Sequence, residues 1–258
     1  MTFRHALNCS IVLPDLPLLE RPAAAAAAGF DAVEFWWPFD SAAPSDPEVD
    51  RFARAVEEAG VQLVGLNIAA GDMPAGDRGL ASWPGREQEF RDSVAVAVGL
   101  GERLGIGIFN ALYGNRIDGA TGQDELAAQN LAHAANEAGR IGATIVLEPL
   151  SGADRYPIRT AAQAVAVLDR VGAPHLGLLA DLYHLAVNGE DLDAVITTYA
   201  DRIAHVQLAD APGRHEPGTG ELDLAHLLDA LDEAGYTGRT ALEYVPTRPD
   251  FAWLKESA

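Results

Sequence analysis

Apolar and polar positions alternate along this chain in two lengths. Short, nearly continuous apolar runs recur at 6–8, 32–35, 62–67, 107–110, 144–148, 177–181, 203–207 and 240–243. Between them lie longer stretches whose apolar residues repeat every three to four positions: Asp46–Ala59, Arg86–Leu104, Gln123–Ile141, Thr160–Val171, Leu192–Ala200 and Leu222–Ala234. In Arg86–Leu104 the stripe is Phe90, Val94, Ala97, Val98 and Leu104, the signature of a helix lying on a sheet. Ala-Gly pairs at 28–29, 59–60 and 234–235 stand where these helices give way to strands, and glycine supplies the left-handed cap such a reversal needs. Eight strand-then-helix units with no Pro/Gly/Ser-rich linker predict one α/β domain over residues 1–258, a single (β/α)8 TIM barrel rather than an open doubly wound sheet. Pro22 leaves the start of the helix through Ala23–Ala28 ambiguous.

The ends of the apolar runs carry the chemistry. Glu148, Asp181, Gln207 and Glu243 each close one, in TIVLE, GLLAD, AHVQ and TALE. A carboxylate or amide at the end of a buried strand is costly unless something pairs with it. In a parallel barrel all four converge on the C-terminal mouth, where active sites are built. The two-residue period places Val146, Leu179, His205 and Ala241 one layer deeper on the same face. Three carboxylates so close cannot all ionise without a cation or shared protons. Four oxygen donors suit a hard divalent ion, Mg2+ or Mn2+. The other runs also end in polar residues, Asn8, Glu34, Asn67 and Asn110, each commonly a turn residue or a satisfied buried amide, but together making the whole mouth polar, and Glu34, Asn67 and Asn110 join the candidate substrate-binding residues. Two long loops follow the third and seventh strands, Ala69–Gly85 and Asp210–Glu221, and from the first Asp72 and Arg78 are candidates to bind a substrate hydroxyl and carboxylate. His184, three residues after Asp181 in DLYH, opens a loop from which an imidazole could reach substrate, whereas His205 reads as a hydrogen-bonded core residue.

Composition narrows the class. With 38 acidic against 18 basic residues the formal charge is -20, which repels phosphate backbones and anionic membranes, so nucleic acid is not an expected partner. No apolar run reaches the ~20 residues of a membrane span and no leader is evident. The one cysteine, Cys9, can form no internal disulfide, and the expected location is cytoplasmic. Lys255 is the only lysine, which excludes Schiff-base catalysis on a barrel strand.

Four segments, Phe30–Pro38 (FDAVEFWWP), Asn67–Asp72 (NIAAGD), Pro84–Asp92 (PGREQEFRD) and above all His205–Glu221 (HVQLADAPGRHEPGTGE), resemble hydroxypyruvate isomerase within the xylose-isomerase-like barrel superfamily. The resemblance runs from Ala6 to about Pro246. It implies interconversion of hydroxypyruvate and tartronate semialdehyde, with Glu148 and Glu243 as the acid/base pair and Glu148, Asp181, Gln207 and Glu243 at the metal positions, where the wider superfamily often has histidine for Gln207. It also places His184 and Arg214 among substrate-contacting groups, with Arg78 as a second candidate for the substrate carboxylate. Leu150-Ser151 stands where isoleucine-asparagine is commoner, and Gly152–Arg159 diverges, which bears on substrate identity more than on reaction type. The expected partner is a small hydroxy-keto acid, in a chain able to form a homo-oligomer, with glyoxylate or glycerate metabolism as the expected setting. The rival readings are a ketose 3-epimerase or an isomerase of larger 2-keto sugar acids. Further off stand a metal-dependent apurinic endonuclease, which needs a basic groove and a histidine-rich metal cluster, and a non-catalytic barrel.

Overall fold

A computed structural model describes residues 5–248 and residue 251; Lys255 lies outside the described residues. Eight parallel strands, β1 (His5–Asn8), β2 (Ala32–Phe35), β3 (Gln62–Asn67), β4 (Ile108–Asn110), β5 (Thr144–Leu147), β6 (Leu176–Asp181), β7 (Ile203–Leu208) and β8 (Thr240–Leu242), pair in sequence order. β8 returns to β1 through Ala6–Ala241 and Leu7–Leu242 registers and closes the barrel. The (β/α)8 expectation therefore holds, strand by strand. Full closure leaves no sheet edge, and residues i, i+2 of each strand must face the interior.

Around the barrel lie α1 (Cys9–Val12), α2 (Arg21–Ala27), α3 (Asp46–Ala59), α4 (Glu87–Leu104), α5 (Gln123–Gly139), α6 (Ala161–Val171), α7 (Leu182–Val187), α8 (Leu192–Tyr199) and α9 (Leu224–Glu233). Pro22 occupies the first turn of α2, where its missing N–H costs nothing. α3 and α6 open with capping boxes, Ser45–Glu48 and Thr160–Gln163. Gly60 ends α3 in the left-handed region at φ 69° and sends the chain straight back to β3. Phe35, Phe52, Phe90 and Phe109 are fully buried in the apolar layer between sheet and helices. A separate small cluster, Ala6, Ala32 and Ala241 with Val64 packed against it, sits two residues below Asn8, Glu34 and Glu243.

Two short helices depart from the sequence reading. DLYH does not open a loop: Asp181 is the N-cap of α7, its Oδ1 accepting from the amides of Tyr183 (2.9 Å) and His184 (3.2 Å). Asn8 likewise caps α1 through Ser10. A strand that ends in a capping side chain needs no linker before the next helix. Among the described residues no helix is long and apolar enough to cross a membrane.

Candidate active site

A polar residue stands at, or one position from, the end of each of the eight strands, and all eight are buried: Asn8, Glu34, Asn67, Asn110, Glu148, Asp181, Gln207 and Glu243. Above them is a cavity of about 140 Å³ lined by Asn67, Glu148, His184, Glu243, both Arg78 and Arg214, and the apolar Trp36, Met73, Leu112 and Leu150 with Ser151. Both long loops reach it, the first through Met73 and Arg78, the second through Arg214.

The two glutamates are gripped by amides from the neighbouring strands β4 and β1. Asn110 Nδ2 donates to Glu148 Oε2 at 2.6 Å and Asn8 Nδ2 to Glu243 Oε2 at 2.9 Å. A carboxylate can only accept, so both amides are oriented by chemistry as well as by geometry. Glu148 Oε1 has no hydrogen-bond partner in the protein although it is buried. Burial pushes the Glu148 carboxyl well above its ordinary range, and the charges of Glu243 and Asp181 add to this against Arg214 and Asn110. Glu243 is pushed up to about 7 by burial, with Asp181 and Glu34 raising it and Arg214 holding it down. Two buried carboxyls of raised proton affinity in one cavity are groups suited to proton transfer.

Arg214 supplies the positive charge. One terminal nitrogen donates to Glu243 Oε1 at 2.5 Å and lies 3.3 Å from Asp181 Oδ2. Its backbone is left-handed at φ 60°, a conformation that costs a non-glycine residue about 1 kcal/mol or more. Asp210 holds that turn. Its carboxylate accepts from the amides of Ala211, Gly218 and Leu222, and its carbonyl accepts from the Arg214 amide at 3.0 Å. Glu216, accepting from the Thr247 and Arg248 amides, ties the same loop to the segment after β8. Arg78 spends one nitrogen on the carbonyls of Met73 and Asp77 in its own loop.

His184 stands between the carboxylates, Nε2 lying 3.6 Å from Asp181 and 3.8 Å from Glu148. Its Nδ1 receives the Ser151 amide at 3.0 Å and lies 2.7 Å from Ser151 Oγ. An amide N–H only donates, so the neutral ring carries its proton on Nε2, towards the cavity. Burial lowers the imidazole to about 4, against the pull of Asp181. Glu148, Asp181 and His184 each offer an atom within 4.8 Å of the others, a group that could hold a metal ion.

Gln207 and Glu34 lie to one side. Gln207 Nε2 donates to Glu34 Oε2 at 3.0 Å, Glu34 Oε1 faces His205 Nε2, and Gln207 Oε1 is buried without a partner in the protein. Asp72 is not among the residues lining the cavity. It borders the wider neighbouring groove, its Oδ1 capping the Ala75 amide and its own amide bonding Asp77, so the loop uses it as a turn former. Sequence reasoning missed Ser151 and Tyr156, whose hydroxyl donates to the Glu148 carbonyl at 2.9 Å. Both fall in the stretch that departs from the resemblance. Trp36 was visible only inside the FDAVEFWWP motif.

Comparisons place this geometry among known proteins. Residues 22–258 match the xylose isomerase-like TIM barrel family. The protein named "Putative hydroxypyruvate isomerase" in Streptomyces coelicolor is 51% identical, over 99% of this chain and 96% of its own. The hydroxypyruvate isomerase of Escherichia coli is 32% identical over 98% and 97%. The crystal structure of an AP endonuclease, family 2, from Brucella melitensis superposes with a TM-score of 0.89 at 34% identity, covering 99% of both chains. The chain belongs to the xylose isomerase-like TIM barrel family, and within it to the hydroxypyruvate isomerase family.

Proposed function

We propose that this protein is an isomerase interconverting hydroxypyruvate and tartronate semialdehyde by proton transfer between carbons 2 and 3. The observation that carries the reading is the shared cavity of Glu148 and Glu243, two buried carboxyls with raised proton affinity, under Arg78 and Arg214. A volume of about 140 Å³ suits a substrate of three or four carbons, and the arginines supply planar donors for its carboxylate. The net charge of -20 supports a small molecule rather than a polynucleotide as substrate.

One glutamate takes the proton from C3, and the C–H electron pair becomes the C2=C3 bond while the ketone π pair moves onto O2. The cis-enediolate gains a proton on O2 and loses one from O3, whose freed pair closes the C3 aldehyde as the C2=C3 pair moves onto C2. A proton returned to C2, by the same glutamate or the opposing one, completes tartronate semialdehyde. Asn110 and Asn8 keep the two carboxylates aimed, and His184 offers its Nε2 proton to a substrate oxygen.

The donor set fits a hard divalent cation, Mg2+ or Mn2+: Glu148, Asp181, Glu243 and the amide oxygen of Gln207, two of whose buried oxygens have no protein partner. His184 suits this role less well, because its cavity-side nitrogen carries the proton. When bound, such a cation would supply positive charge that offsets the negative charge developing on the enediolate.

The test is turnover of purified protein on hydroxypyruvate, on a four-carbon 2-oxo sugar acid and on a ketohexose, with and without chelator. Fastest turnover of hydroxypyruvate, lost on chelation and restored by Mn2+, is the expected result. Faster turnover of the carboxylate-free ketohexose would favour an epimerase and overturn the reading.

A further inference from the structure

Glu34 is a buried carboxylate that is not among the residues lining the catalytic cavity. The β2–β3 register slips between Val33 and Glu34, and the slip puts Glu34 beside Gly65. A Cβ on Gly65 would stand 2.5 Å from Glu34 Oε1, so the carboxylate occupies the space that this glycine leaves. From there Oε1 faces His205 Nε2 and Oε2 accepts the Gln207 amide nitrogen at 3.0 Å.

An amide can turn over and present either end, and the energy difference is set by its partners. A carboxylate accepts and never donates. Glu34 therefore forces nitrogen towards itself and leaves Gln207 Oε1 as the buried, unpartnered atom. We infer that Glu34, seated by Gly65 and held by His205, is a positioning residue that locks the Gln207 amide so that its oxygen faces the divalent cation. The inference rests on the metal reading above. It also predicts what can replace Gln207: an imidazole has one donor and one acceptor nitrogen, so histidine can give its N–H to Glu34 and keep the other nitrogen for the cation.

Calorimetric titration of Mn2+ into chelator-treated protein, with thermal melts as a folding control, tests it. Glu34→Gln keeps size but can present its own NH2 to Gln207, and Mn2+ affinity should fall by about 10- to 100-fold, the usual effect of losing a residue that orients a ligand. Gly65→Ala, which displaces the Glu34 carboxylate without touching its charge, should weaken Mn2+ in the same direction. Gln207→His should retain Mn2+ binding with Glu34 present and lose it in combination with Glu34→Gln. Unchanged Mn2+ affinity in folded Glu34→Gln, or in Gly65→Ala should the first variant not fold, overturns the inference and leaves the metal reading intact. Absence of Mn2+ binding by the unaltered protein overturns both.

Discussion

The barrel mouth has two unlike halves. Strands β1 to β4 end mainly in amides, Asn8, Asn67 and Asn110, while β5 to β8 end mainly in carboxylates, Glu148, Asp181 and Glu243. Each half has one exception, Glu34 among the amides and Gln207 among the acids, and the two exceptions bond to each other. Asn8 and Asn110 donate across to Glu243 and Glu148. The acidic half holds the two carboxyls of raised proton affinity, and the amide half restrains them. Neither half would serve alone. Carboxylates without donors would stay protonated in this burial, and amides without carboxylates would have no acidic proton to exchange.

Breaking the acidic half should cost most. Glu148→Gln and Glu243→Gln should each fold and lower kcat on hydroxypyruvate by about 10²–10⁴, the usual share of a general acid or base. A near-normal rate in either variant would remove that residue from the mechanism. Next comes the cation that neutralises the acidic half. Arg214→Lys keeps the charge but cannot bridge Glu243 and Asp181 while reaching a substrate carboxylate, and losing such bonds costs roughly 1.5–3 kcal/mol. KM should rise about ten- to a hundredfold, and an unchanged KM would exclude Arg214 from carboxylate binding.

The amide half should respond more gently and with a sign of its own. The Asn110 bond holds the Glu148 carboxyl down, so Asn110→Ala should raise that carboxyl further and move the acid limb of the pH–rate profile to higher pH. The rate loss should be about tenfold at most near neutrality. An unmoved limb would mean that Asn110 shapes the cavity without tuning the base.

The smallest effect concerns stability. Glu243 titrates near 7 when folded against an ordinary 4.5, so between those values the native state keeps a proton the unfolded chain releases. Stability must then fall as pH rises through that window. His184, lowered to about 4 from 6.5, acts in the opposite sense, adding stability as pH rises to 6.5. Above that pH the carboxyl contribution remains: the melting temperature of chelated protein should drop between about pH 6.5 and 7.5, and added Mn2+ should restore it. Glu243→Gln should flatten the drop.

The barrel itself was legible from residue pattern, because alternating short apolar runs and three-to-four-residue stripes leave few other closed arrangements. The convergence of Glu148 and Glu243 on one cavity was legible for the same reason: strand parity decides which face a side chain takes. Parity does not decide which neighbour it meets. Asn8 and Glu243 are 235 positions apart, and their bond depends on how β8 is staggered against β1. Glu34 crosses β3 only because position 65 has no side chain and the register slips there. Asp72, in the long loop after β3, was a candidate to bind a substrate hydroxyl, yet it shapes a turn, while Asp181 at the end of β6 serves α7 with one oxygen and Arg214 with the other. Loop geometry separates them, and loop geometry is set by backbone bonds that composition does not encode.

The most direct test is proton exchange at C3 of hydroxypyruvate in heavy water, followed by NMR. The unaltered protein with Mn2+ should wash deuterium into C3, and Glu148→Gln or Glu243→Gln should suppress the exchange by about 10² or more. Exchange at the same rate in both variants, or none with the unaltered protein while it turns over the substrate to tartronate semialdehyde and both variants do likewise, would contradict the assignment of proton transfer to these two carboxylates.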